Sequence, residues 1–386
     1  MVPLQRPLRI GTDCSGMETP IMVLKHLKVA HVHVFSSDID KNVKKQIEQN
    51  WGPEVFYDDL MARDNDAAPP CDLYIAGFPC QSFSSAGKQR GFKDKRGEVF
   101  FGCAEYIEAQ KPRAFILENV RAILTNDRGR TWATVMRTLN NIDDGAYHVE
   151  YKILDTQEHA VPQSRRRVYI IGILKTALPA KFLSFPWPES LPLLSVEPLL
   201  EPVTKKPTMK DLPHKNYKTG YNNAREVLKD LQKNKQDPFQ NTFLIDIDAS
   251  ERFRNKMKDR VMCMTKSRPS GYWISSRGRR MTITEMLKCQ GMDPGSFEQV
   301  VPDKVLGAQI GNAMSQNVLE RLFINLLPLA GLVPRKTVLE DRWALRAADP
   351  DWPRSSAEVK ATTGCKAAKR KASVSQGVAK KRRTAA

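Results

Sequence analysis

Cys80 stands in the run Gly77-Phe78-Pro79-Cys80-Gln81, just past the apolar segment Asp72-Leu73-Tyr74-Ile75-Ala76. The apolar segment predicts a buried strand that stops at Gly77 and Pro79, so the thiol is carried at a strand's carboxyl end. Open α/β sheets hold ligands in the crevice beyond those ends, and a thiolate placed there can act as a nucleophile. Glu118 is the second group with chemistry: it follows the apolar run Ala114-Phe115-Ile116-Leu117 and precedes Asn119. Burial at that place is expected to raise its pKa and let it hold or give a proton. The third is Gln163-Ser164-Arg165-Arg166-Arg167, where strand alternation points Arg165 and Arg167 to one face and Arg166 to the other. Each has an ordinary alternative: a space-filling cysteine, a helix-capping carboxylate, a solvated basic strand.

Acidic residues recur beyond the other expected strands, at Asp13, Asp38 and Asp59. A glycine turn after a first strand, with a carboxylate about 20 residues on at the end of the second, is an arrangement that holds a nucleoside by its ribose hydroxyls. Gly16 and Asp38 are 22 residues apart. The turn Asp13-Cys14-Ser15-Gly16-Met17-Glu18 lacks a full G-x-G-x-x-G, so it suits a single nucleoside such as S-adenosyl-L-methionine better than a dinucleotide.

These residues need a frame, and the chain supplies one. Residues 8–18 are expected to form a short strand that runs into a turn around Ser15-Gly16, and further strands are expected at 32–37, 55–57, 72–76, 114–117, 148–154 and 168–172. Helices are expected from Thr19 (as cap, with Pro20 at the first position) to Leu27, and at 41–50, 96–110 and 132–142. Strand and helix alternate throughout residues 6–174, which predicts an α/β fold with a mostly parallel sheet covered on both faces. The rhythm then stops. Residues 179–213 are rich in proline and 214–278 are polar and basic with scattered aromatics, so 175–278 reads as a smaller inserted domain. Helix returns at 282–290 and 313–327, within a segment 279–330 that completes the first domain. Residues 331–386 form an extension, expected to be disordered beyond about Ala361.

Composition narrows the partners. The net charge is +18, which favours a polyanion. Residues 355–386 contribute nine Lys/Arg against one Glu, so the rest is still basic by about +10. The seven cysteines form no CxxC pair, which argues against a disulfide framework or a metal site. No run of about 18 apolar residues or signal-peptide core is present, so no membrane span is expected.

Taken together the segments resemble the C5-cytosine-specific DNA methyltransferases. The resemblance is carried by Asp13–Gly16, Asp38, Asp59, Pro79-Cys80-Gln81, Arg96-Gly97, Glu118-Asn119-Val120, Val161-Pro162-Gln163 with Arg165 and Arg167, Arg280-Met281-Thr282 with Glu285, Gln290-Gly291, and Gly311-Asn312-Ala313 with Val318. It implies a Rossmann-like S-adenosylmethionine-dependent methyltransferase sheet with an inserted target-recognition domain at 175–278. It also implies methylation of carbon 5 of a flipped-out cytosine in double-stranded DNA, with S-adenosyl-L-homocysteine as the other product and no metal. Cys80 would add to carbon 6 of the ring, biased towards thiolate by Arg165. Glu118 would act at ring N3, Arg165 at the base carbonyl, and Asn119, Gln81 and Arg167 would support them. The cofactor would be held by Asp13, Cys14, Ser15, Gly16, Met17, Glu18, Asp38, Ile39, Asp59, Leu60, Gly77, Pro79, Asn312 and Ala313. DNA contacts are expected from Ser82, Ser84, Lys88 and Arg90 in a closing loop, and from Gln163, Arg268, Arg277, Arg279 and Arg280.

The first turn departs from the family: Cys14 stands where an aromatic residue is common, and Asp38 where glutamate is. The tail, with Lys369-Arg370-Lys371 and Lys380-Lys381-Arg382-Arg383, resembles a bipartite nuclear import signal and equally a DNA-binding arm. A nuclear enzyme, monomeric when free, is therefore expected. Two alternatives stand beside it: a transfer-RNA methyltransferase of the same fold, whose Cys-Phe-Thr signature is missing from the insert, and an inactive DNA-binding member.

Overall fold

The computed structural model describes residues 4–79 and 95–356. Its first half alternates β1 (Leu8–Asp13), α1 (Thr19–His26), β2 (His31–Ser37), α2 (Lys41–Asn50), β3 (Val55–Tyr57), β4 (Leu73–Ala76), α3 (Lys95–Gln110), β5 (Ala114–Val120), α4 (Arg130–Asn141), β6 (Tyr147–Asp155) and β7 (Arg166–Leu174). The strands form one sheet in the order β3-β2-β1-β4-β5-β7-β6. Neighbours from β3 to β5 are parallel, whereas β7 runs antiparallel to both β5 and β6. The carboxyl ends of β1, β2, β4 and β5 therefore meet at one edge, where the order reverses between β1 and β4.

The central strands are apolar throughout because both faces are covered. Leu73, Ile75, Ala114 and Ile116 pack into one core with α1 and α8 (Gln316–Leu329). Their alternates Tyr74, Ala76, Phe115 and Leu117 pack into a second core with α3 and α4. The first helix starts differently from expectation. Glu18, not Thr19, holds the cap position, with a left-handed φ of 54°, and Thr19 and Pro20 already lie in the helix.

The insert contains α5 (Lys218–Lys233) and a four-stranded antiparallel sheet of β8 (Phe243–Ile245), β9 (Lys256–Lys258), β10 (Trp273–Ile274) and β11 (Arg279–Arg280), ordered β11-β10-β8-β9. This sheet ends just past the boundary expected at 278. Its alternation splits two cores: Phe243, Ile245 and Trp273 face Ala224, Leu228 and Leu231 of α5, while Leu244 and Ile274 join the core under β1. The chain returns through α6 (Ile283–Lys288), whose start carries a reciprocal Thr282–Glu285 cap, then α7 (Asp303–Asn312) and α8. Finally α9 (Arg342–Ala348) buries Trp343, and residues 353–355 return to the root of the insert. There Ser195 N donates to Pro353 O and Ser355 N to Leu193 O, both at 2.8 Å.

Candidate active site

The turn after β1 is built from alternating left-handed residues, Cys14 (φ 49°), Gly16 (54°) and Glu18 (54°). Only glycine adopts this region freely, so each of the other two stores about 1–3 kcal/mol of strain that neighbouring contacts must offset. They do so by stitching the turn to β2. Ser15 N and Oγ donate to Ser37 O, Ser37 N donates back to Ser15 Oγ at 2.9 Å, and Gly16 N donates to Asp38 Oδ2 at 3.1 Å. Burial raises the Asp38 carboxyl above its ordinary pKa, opposed by hydrogen bonds from Asp40 N and Gly16 N. Ile39, beside it, is 78% exposed, a large apolar side chain free to cover a flat ring. Burial likewise pushes the Cys14 thiol well above its usual range, which leaves it a neutral, apolar lining group.

Three residues expected to hold cofactor turn their side chains to the protein interior, although Asp13 still borders the hollow described below. The carboxylate of Asp13 is buried and takes both Nη atoms of Arg63, at 2.8 and 2.7 Å, and the Tyr74 hydroxyl at 2.6 Å. Glu18 is fully buried and accepts from Thr12 and Ser36 hydroxyls, each at 2.6 Å, with His33 Nε2 at 3.4 Å. Leu60 packs in the core against α3. Asp59 caps the short helical turn Leu60–Ala62 by accepting from Met61 N and stays exposed.

A solvent-open hollow joins this turn to the other strand ends. Cys14, Ser15, Gly16 and Met17 line one side, Gly77 and Glu118 the floor, and Asn312, Ala313 and Met314 the far side. Gly77 leaves room for what it faces: a Cβ there would stand 3.1 Å from Met314 Cε and 3.7 Å from Glu118 Oε2. Thr12, Thr19, Pro20, Ile75 and Met314 also line the hollow and were not foreseen; adjacency to the motif residues was their only signal. Among the described residues no group of three His, Cys, Asp or Glu is placed to hold a metal ion.

Glu118 lies within β5 and is mostly buried, with Oε1 3.0 Å from Arg167 Nε. Asn119 Nδ2 donates to Phe78 O at 3.2 Å, which fixes the chain two residues before Cys80. Pro79 is the last described residue before the segment carrying Cys80, Gln81, Ser82, Ser84, Lys88 and Arg90, which lies outside the described residues. The role expected of Arg165 is corrected. Its guanidinium is buried and donates to three carbonyls, Met264 at 2.8 Å, Gly311 at 3.2 Å and Ala313 at 2.8 Å. It clamps the insert and the return segment, and Arg167 is the arginine that meets Glu118.

On the insert side, Gln163 is withdrawn from solvent and the arginines expected to meet DNA are each engaged by a carboxylate. Gln163 is fully buried; its amide donates to Cys289 O and Gln290 Oε1, and its carbonyl accepts from Met264 N. Arg268 pairs with Asp246, Arg277 with Glu197, Arg279 with Glu201 and Glu285, and Arg280 with Asp248. A polar insert with a small core of its own is held together by these ion pairs, and sequence shows the arginines without showing their distant carboxylates.

A seven-stranded sheet in which only β7, between β5 and β6, is reversed, and a cleft joining the turn after β1 to the ends of β4 and β5, defines a Rossmann-like methyltransferase. The chain belongs to the C-5 cytosine-specific DNA methylases, whose family model matches residues 14–327. It is 33% identical over 312 residues to the Type II methyltransferase M.NgoBI of Neisseria gonorrhoeae, covering 76% of this chain and 85% of that one. To the Type II methyltransferase M.HaeII of Haemophilus aegyptius it is 32% identical, with coverages of 79% and 88%. In fold it is similar to the S. pombe Dnmt2 methyltransferase, with a TM-score of 0.55 at 16% identity over 83% of this chain and 98% of that one.

Proposed function

We propose that this DNA cytosine-5 methyltransferase takes its methyl group from S-adenosyl-L-methionine, acts on a cytosine swung out of duplex DNA, and uses Cys80 as nucleophile. The observation that carries the reading is the single hollow that brings the strained turn at 14–17 together with Glu118 and Asn312–Met314. The site suits the cofactor: Gly77 keeps the hollow's floor open, and beside it Asp38, bonded to Gly16 N, would meet ribose hydroxyls while the exposed Ile39 would offer an apolar face to adenine. When bound, the cofactor supplies a methyl group on an electron-poor sulfonium.

Carbon 5 of cytosine is too weak a nucleophile until a thiolate adds to carbon 6. Cys80 forms that bond; it breaks again once carbon 5 carries the methyl group and loses its proton. Glu118 holds a proton at ring N3 as charge develops there, and Arg167 fixes Glu118 and reaches the base carbonyl. Asn119 sets where the Cys80 segment begins. Flipping the base costs about a few kcal/mol, which protein contacts must offset. Residues 175–278, with β11 just beyond, serve as the target-recognition domain.

Nucleoside mass spectrometry after incubation with S-adenosylmethionine and either duplex DNA or transfer RNA tests this directly. 5-Methylcytosine is expected in DNA and not in RNA, and none with Cys80→Ala; modification of RNA alone, or product from the variant, overturns the reading. Nuclear import by the tail rests on Lys369–Lys371 and Lys380–Arg383, outside the described residues, and the two Type II methyltransferases named above are bacterial. A reporter bearing residues 355–386 that spreads evenly through a eukaryotic cell removes that proposal.

A further inference from the structure

The charges around Glu118 do not balance. Arg167 is matched by Glu118, but Arg165, only 2% exposed, has neutral carbonyls as its oxygen acceptors. Asp155, at the end of β6, accepts from the Arg165 backbone N–H and is engaged by Arg166 and Gln157. A buried guanidinium beside another, with one carboxylate between them, is costly unless a further anion compensates. Arg165 Nε is moreover buried without a hydrogen-bond partner.

One side chain stands where that anion is needed. Cys263, in the insert, places Sγ 3.6 Å from Arg165 Nη1 and 3.7 Å from Arg167 Nη2. The segment is held in place by Tyr272, whose hydroxyl donates to Cys263 O at 2.7 Å, and by Gln163, which accepts from Met264 N. As a thiol, Sγ would donate to Met264 O at 3.5 Å, a weak contact that leaves the two guanidinium groups facing each other. As a thiolate it accepts from both.

We propose that Cys263 is a positioning residue of the methyl-transfer site: an anion supplied by the insert that holds Arg165 and Arg167 together and so keeps Arg167 aimed at Glu118. In the substrate-free site, with Glu118 ionised against Arg167, the chain Glu118–Arg167–Cys263–Arg165 then has no net charge, and it joins β5, β7 and the insert in one network. The ionisable groups facing Cys263 are Arg165 and Arg167, with Tyr272 alongside and Glu118 and Tyr169 behind the arginines. Burial works against the thiolate, but the two arginines outweigh it and lower the pKa of Cys263. Tyr272 is raised by burial, so it stays a neutral donor. The insert thereby contributes to the chemistry as well as to target choice, and its seating becomes a condition for a correctly aimed Arg167.

The inference rests on the methyltransferase reading, and its test has one arm that does not. In the full chain, the ultraviolet thiolate absorbance lost on Cys263→Ser should titrate below pH ~8.5, the ordinary thiol value. A difference spectrum that appears only above that pH overturns the proposal whether or not the protein methylates DNA. In the activity arm, Cys263→Ala and Cys263→Ser should each lower kcat roughly tenfold with KM for S-adenosylmethionine unchanged, and Cys263→Asp should recover most of the loss by restoring the charge. Full activity in the serine variant, or an aspartate variant no better than alanine, overturns it. Should the alanine variant fail to fold, the serine and aspartate pair decides.

Discussion

Arg165, just before β7, and Arg167, within it, both approach Cys263, and their surroundings give them different work. Arg165 is enclosed by backbone carbonyls from the insert and from the return segment, so Arg165→Ala strands three buried acceptors. A loss of about 3–5 kcal/mol is expected, read as a lowered urea midpoint. Arg167→Ala removes the partner of Glu118, so its cost should appear in kcat, about a hundredfold, with the urea midpoint changed far less. Equal effects of the two substitutions on stability would contradict this division. The motif Gln-x-Arg-x-Arg was legible in sequence, and so was the face that its arginines share. Which arginine meets the acid was not, because that depends on carbonyls about 100 and 150 residues downstream. Asp13 and Glu18 teach the same lesson. Their place at a strand end was right, but their carboxylates turn inward to Arg63, Tyr74, Thr12 and Ser36.

At the level of elements, the alternating strands and helices of the first half were readable because both faces of each central strand are buried and leave continuous apolar runs. Helix α5 was missed although Ala224, Val227, Leu228 and Leu231 follow helical spacing, since its polar majority hides a stripe that matters only once a sheet lies beneath it. The C-terminal segment shows how one element is locked. His159, nearly fully buried, accepts from Arg321 Nη1 at 2.6 Å, and Arg321 Nε in turn binds Asp341 just before α9. Burial first, and then the Arg321 charge, push His159 down to about 3. Between that value and the unfolded value near 6.5, the unfolded chain binds the extra proton. Stability is therefore complete above about pH 6.5 and falls by about 1.4 kcal/mol per pH unit below it. His159→Gln should flatten this acid limb. Urea melts at pH 7 and 5.5 check it, and an unchanged slope in the variant refutes the assignment.

For the whole molecule, a charge of +18 invites the assumption that every arginine on the insert is a phosphate contact. The ion pairs of Arg268, Arg277, Arg279 and Arg280 argue otherwise. Arg268→Gln should leave the slope of log affinity for DNA against log salt unchanged, whereas loss of a phosphate contact would reduce that slope by about 0.9. Titrations at several salt concentrations separate the two outcomes. The pairing of residues 193–195 with 353–355 has a consequence for any exchange of inserts between relatives. Apart from the bonds that Arg165 and Gln163 make to Met264, the insert is moored at three places, where it leaves β7, where it rejoins α6, and where the chain's later residues fold back on its root. The third mooring lies beyond the family-matched residues 14–327. A transplant cut at the family's borders would carry two anchors and leave the third behind, so a faithful graft must move the far end of the chain with it.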